Sequence, residues 1–239
     1  MPGGWVNEVV RVGDTVRRAR ASVFVHRLLD HLDGWSGAPR LLGVDSRGRE
    51  VLEFLDGHVA WEPDQPAAVG SDESLVRVAR LVREFHDLTT GLAGDQEVVC
   101  HNDLSPKNTV YRDLGEGLRP VAFIDWDGAG PGRRVHDVAH VCWQYLALGP
   151  GAEVAEAARG IRMINDAYGW VDHRELVDTV LWWQDRCWRG ILADPGPSGE
   201  RLRAAGIVEE VRADHDWVAG HREELIAGGG DQSFSRLLN

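Results

Sequence analysis

The chain has 239 residues, 43% hydrophobic and 27% charged, a composition that can bury a sizeable core in one or two domains and excludes wholesale disorder. Its 26 basic and 38 acidic residues give a net charge of −12 at pH 7, which repels a phosphate backbone, so nucleic acid is not an expected partner. No apolar run approaches the ~20 residues of a membrane span, the N-terminus has no secretory pattern, and three scattered cysteines suit a reducing compartment, so a cytoplasmic protein without a membrane partner is expected.

From Trp5 to Arg18, apolar and polar residues alternate around Gly13-Asp14, which predicts a β-hairpin. Val25, Leu28, Leu29 and Leu32 then recur at helical spacing. Arg40–Val44 and Glu50–Leu55 read as two further strands around Ser46-Arg47-Gly48. A connector containing Pro63 and Pro66 leads to a helix that begins after Ser71-Asp72, a suitable N-cap. Residues 98–129 read as strand and loop, and helices are predicted over 135–148, 152–168, 173–193 and 199–226. Strands and helices are thus segregated, which predicts an α+β fold rather than a doubly wound sheet. The expected division is a small β-rich unit, residues 1–57, and a larger, mainly helical unit, residues 58–239.

The residues that carry chemistry are His101-Asn102-Asp103-Leu104-Ser105-Pro106-Lys107-Asn108 and, further on, Phe123-Ile124-Asp125-Trp126-Asp127. Thr109–Arg112 and Val121–Ile124 between them read as paired strands, which would make Asn108 and Asp125 neighbours. An amide oxygen and a carboxylate meeting in this way form a hard-oxygen site suited to Mg²⁺. Asp103, on the loop entering the first strand, is placed to face an acceptor hydroxyl. This is the division of labour in kinase phosphoryl transfer.

At these two motifs the sequence resembles the aminoglycoside phosphotransferase family, whose members share a bilobal protein-kinase-like fold. The resemblance implies that Asp103 is the catalytic base, that Asn108 and Asp125 bind Mg²⁺, and that ATP donates its γ-phosphoryl group to a hydroxyl of a small acceptor. It also implies that Val51–Gly57 is a hinge whose backbone at Glu53, Phe54 and Leu55 meets adenine. Asp137 of Asp-Val-Ala would brace the catalytic loop.

Some positions depart from that pattern. Lys107 is the only lysine, so no small-lobe lysine exists to grip the phosphates, and Arg18 is the expected substitute, able to bind phosphate through two donors. The helix following Ser22 has no glutamate, Gly3, Gly4 and Asn7 make a sparse phosphate loop, and Asn102 stands where the family has glycine. Asp127 and Asp185 are candidate contacts for a cationic acceptor, aminoglycoside-like or an amino alcohol. Two other functions compete: a nucleotide-binding relative with weak or no activity, and a zinc hydrolase built on His136 and His140, spaced i, i+4.

Overall fold

The computed structural model describes residues 9–115, 117–169 and 171–227. The predicted hairpin is present as β1 (Val10–Val12) and β2 (Thr15–Arg18), turned at Gly13, whose φ of +61° is easy for glycine. The Gly3, Gly4 and Asn7 phosphate-loop reading lies outside the described residues. The helix α1 (Val23–His31) follows, capped by the Ser22 hydroxyl, which accepts from the Val25 amide at 3.2 Å. Next come β3 (Leu41–Val44) and β4 (Glu50–Glu53), completing an antiparallel sheet in the order β1-β2-β4-β3. In β4, Glu50 and Leu52 are buried and Val51 and Glu53 half-buried, so its even positions form the inner face.

The remainder is mainly helical. Its central helix, α2 (Asp72–Thr89), starts at Ser71, as expected, and buries Leu75, Val78, Leu81, Val82 and Phe85 along one stripe. Against it pack α3 (Arg134–Tyr145) and α4 (Val154–Tyr168), and α5 (His173–Ala193) lies along α3. The helix expected over 199–226 is instead three: α6 (Pro197–Ala204), α7 (Ile207–Gly220) and α8 (Arg222–Ala227). The first break falls at Gly206, with φ +78°, and the second at Gly220-His221. At Gly206 glycine's freedom overrides an otherwise continuous apolar period.

Two small ribbons sit at the junction. Strands β5 (Val98–Cys100) and β8 (Gly130–Gly132) pair antiparallel, and so do β6 (Thr109–Asp113) and β7 (Leu118–Phe123). The first ribbon fixes where the 101–108 loop begins, and the second fixes where it ends, beside residue 125. Beneath both, Phe85, His101, Phe123 and Trp126 pack ring against ring, with Phe85 and Trp126 at 4.9 Å and His101 and Trp126 at 4.6 Å. All four are essentially inaccessible to solvent. The α+β reading therefore holds: a small antiparallel sheet with one helix, followed by a larger helical portion.

Candidate active site

The predicted pairing that joins residues 108 and 125 exists. Thr109 faces Phe123 in the β6–β7 register, and the Ile124 amide donates to the Asn108 carbonyl at 2.9 Å. Within the loop that leads to this junction, the Asn108 Nδ2 donates to the Asp103 carbonyl at 2.8 Å and to its Oδ2 at 2.9 Å. Asp103, Asn108 and Asp125 are thus brought close together. Asp103 keeps an open side to solvent, while enclosure by protein on its other sides and then the charge of Asp125 push its carboxyl up to about 7, against the Asn108 hydrogen bond. A carboxyl poised there can take a proton near neutral pH.

The loop carrying Asp103 is suspended from Asp137, fully buried at the start of α3. Its Oδ2 accepts the His101 amide at 2.7 Å and its Oδ1 the Asn102 amide at 2.9 Å. The Oδ2 also accepts His86 Nε2 at 3.1 Å, which leaves His86 Nδ1 to accept from the Tyr168 hydroxyl at 2.9 Å. Burial works against the charged form of Asp137, but these hydrogen bonds hold its carboxyl below the ordinary value. His86 reads from sequence as a satisfied core residue. It is one, and it also completes this brace. Cys100 is close enough to make His86, Cys100 and Asp137 a candidate metal group by distance, yet its thiol donates to the Arg133 carbonyl and burial pushes its pKa far up.

Asn102 explains how the loop dispenses with the expected glycine. It adopts φ +64°, a left-handed conformation that asparagine tolerates better than most residues. Its side chain donates to the Gly128 carbonyl at 2.9 Å, stitching the two loops together. Asp125 is also left-handed, with φ +64°.

Arg18, the expected substitute for the lysine, ends β2 and is buried beside Asp125. Its Nε donates to Glu50 Oε1 at 2.5 Å, its Nη1 to Asp125 Oδ1 at 2.8 Å and its Nη2 to Asp127 Oδ1 at 2.8 Å. One guanidinium therefore faces three carboxylates. Burial above all, and then the charges of Asp125 and Glu50, raises the Asp127 carboxyl in spite of Arg18. The oxygens open to a cation are hard ones. Asn108 turns its nitrogen to Asp103, leaving Oδ1 as the other end of the amide, and the Asp125 side chain is 46% exposed. That donor set fits Mg²⁺, which takes one or two carboxylates from protein and the rest from phosphates and water.

Other expected contacts are changed by their surroundings. In the segment expected to form the hinge, the Glu53 amide donates to the Arg40 carbonyl and the Phe54 amide to the Asp14 carbonyl, both at 2.9 Å. The Phe54 ring lies under the Arg11 guanidinium at 3.6 Å. Among the described residues, Leu55 is the one of the three whose amide has no backbone partner. Asp127 is held by Arg18 rather than presented to an acceptor. Asp185 accepts from Arg189 Nε at 2.8 and 2.9 Å, an i, i+4 pair on α5, so its charge is already balanced. The zinc reading has no geometry behind it. The buried His140 bonds the Leu104 carbonyl at 2.9 Å, and His136 stacks on Trp182 at 5.1 Å. Among the described residues neither belongs to a group of ligating side chains.

A small sheet with one helix, a helical lobe and a carboxylate–amide–carboxylate cleft at their junction define the small-molecule-kinase fold. The model of the phosphotransferase enzyme family matches residues 91–176. A trifolitoxin immunity protein of Rhizobium leguminosarum bv. trifolii is 32% identical, the match covering 71% of this chain and 73% of that protein. Among solved structures, an ethanolamine kinase of Plasmodium vivax superposes with a TM-score of 0.66 at 13% identity, over 92% of this chain and 82% of that one. The GDP complex of an aminoglycoside 2'-phosphotransferase-IIIa gives 0.56 at 17% identity, over 95% and 90%. The chain belongs to the phosphotransferase enzyme family, a class of ATP-dependent phosphotransferases. No described helix is long and apolar enough to cross a membrane.

Proposed function

We propose that this protein transfers the γ-phosphoryl group of ATP to a hydroxyl of a small acceptor, with residues 1–57 holding the nucleotide and residues 58–239 supplying the catalytic loop and the acceptor site. The observation that carries this reading is the hydrogen bond from Asn108 to Asp103 within the 101–108 loop, at the base of a hairpin that also delivers Asp125. In the reaction the acceptor oxygen bonds to the γ-phosphorus, the bond from that phosphorus to the β,γ-bridging oxygen breaks, and the hydroxyl proton passes to Asp103. Asn108 and Asp125 would hold Mg²⁺, which supplies charge neutralisation on the phosphates. Arg18 would grip a phosphate through its terminal nitrogens, and the Leu55 amide would meet adenine. Asp103 does little covalent work, since positioning and charge supply most of the acceleration in phosphoryl transfer.

The acceptor is a hydroxyl compound, and Asp127 and Asp185, each paired with an arginine in this structure, are the candidate contacts for any positive charge it carries. The panel that tests the reading combines aminoglycosides, ethanolamine and choline, and sugars. With ATP consumption as the readout, at least one acceptor should raise turnover above the water background. Asp103→Asn should lower that turnover about 10²–10⁴-fold, the range for loss of a general base. An Asp103→Asn protein as active as the wild type on its best acceptor refutes the role.

A further inference from the structure

We infer that Glu50 of β4 is the positioning residue for Arg18, and that His26 of α1 ties this strand pair to the helix. The inference rests on Arg18 being a phosphate ligand, and it concerns two residues with no part in the reading above. Glu50 is opposite Arg18 in the β2–β4 register, so the two side chains project from the same face of the sheet. It is wholly inaccessible, and a buried carboxylate is expensive unless fully partnered. Both of its oxygens are used: Oε1 takes Arg18 Nε at 2.5 Å, and Oε2 takes the Ala21 amide at 3.1 Å and His26 Nε2 at 2.9 Å. Such complete satisfaction fixes the carboxylate, and the carboxylate fixes the arginine.

The point of attachment matters. Glu50 holds Nε, the nitrogen nearest the side-chain stem, so both Nη atoms project onward to Asp125 and Asp127. A guanidinium can be anchored at one nitrogen and offer two others; an ammonium group has a single nitrogen and cannot do both with the same rigidity. When Asp125 turns to a cation, Nη1 is released to a phosphate oxygen while the Nε anchor stays. Helix α1 contains no glutamate, and the link between helix and phosphate ligand is inverted accordingly. The strand supplies the acid and the helix supplies the imidazole.

Mg·ATP binding measured by calorimetry on wild type, Glu50→Gln, Arg18→Ala and the double variant tests this, with melting curves confirming that each protein is folded. Glu50→Gln should weaken Mg·ATP binding about tenfold in the wild-type background, as expected for loss of a charge-assisted anchor. It should add less than twofold in the Arg18→Ala background, because a residue acting through Arg18 has nothing left to position. His26→Ala, at the periphery of the network and less exposed to folding failure, should weaken binding about threefold and likewise lose its effect when Arg18 is absent. Full additivity in either cycle, or unchanged binding by Glu50→Gln, overturns the positioning role. Wild-type protein that binds no Mg·ATP overturns the nucleotide reading itself and this inference with it, an outcome distinct from failure of Glu50 alone.

Discussion

Replacing Asp137 with asparagine isolates what the brace beneath the catalytic loop contributes. The substitution keeps shape and removes charge. Three donors converge on this side chain, His101 N–H and His86 Nε2 on Oδ2 and Asn102 N–H on Oδ1. Asparagine can keep its oxygen on the Oδ2 side and satisfy two of them, but its NH₂ then opposes the Asn102 amide, donor against donor. The loss comprises one hydrogen bond to a charged acceptor, about 1.5–3 kcal/mol, together with weakening of the other two. Asp137 itself is fully buried, so the NH₂ placed there has no water to donate to. A total of about 3–5 kcal/mol is expected, within the range for breaking a buried charged network. Urea denaturation gives the value from the midpoint shift at constant m. Activity should fall with it, since Asn102 and Asp103 are placed by the amides that Asp137 holds. A loss under about 1 kcal/mol would show that the loop is held by something other than this carboxylate.

Two further expectations come from the same loop. Burial lowers the His101 imidazole to about 4, so the unfolded chain takes up a proton first as pH falls. The stabilisation is present in full above pH ~6.5 and drains away between there and about 4, amounting to about 3 kcal/mol, with buried His140 contributing in the same direction. The raised Asp103 carboxyl works the other way over the same range, since the native chain takes up that proton first, so the test compares wild type with His101→Gln: the difference in melting temperature between them should change from pH 7.5 to 4.5, and a constant difference would contradict a neutral, buried His101. At Asn102, alanine should destabilise more than glycine. Both lose the bond to Gly128, but only alanine also has to hold φ +64°, worth about 1 kcal/mol more. Thermal melts of the two variants decide the order.

Much of this architecture is legible in the chain itself. The stripe of Leu75, Val78, Val82 and Phe85 with Ser71 before it gives α2 its start and its buried face, because capping and helical period are local. The β6–β7 pairing, and with it the approach of Asn108 to Asp125, follows from two short apolar runs separated by glycines. The acid at residue 185 has its arginine four positions on, so its neutralisation was also within reach of a helical reading. Glu50 is different. A strand glutamate reads as solvent-facing, and only alternation against the buried Leu52, taken with Arg18 on the neighbouring strand, hints that it points inward. The hinge amides could not be assigned from sequence either, since their partners, Arg40 and Asp14, arrive from other parts of the sheet.

The two left-handed residues of the site show how the helical core bears on its chemistry. Asn102 and Asp125 both take φ +64° outside glycine, at a cost of order 1 kcal/mol each. Each stands at the point where a chain segment must turn sharply out of the core and present its next side chains to the cleft. Neither conformation is favoured by its own sequence, so the surroundings must impose it. For Asn102 the means are the Asp137 carboxylate on its amide and Gly128 on its side chain. For Asp125 they are the pairing of Ile124 with Asn108 before it and, after it, the buried Trp126, whose indole donates to the Phe123 carbonyl at 3.0 Å. The Phe85–His101–Trp126 stack lies under both turns. Loosening that stack should therefore disturb the spacing of Asp103, Asn108 and Asp125 before it unfolds the protein, because the turns are the least intrinsically stable elements resting on it.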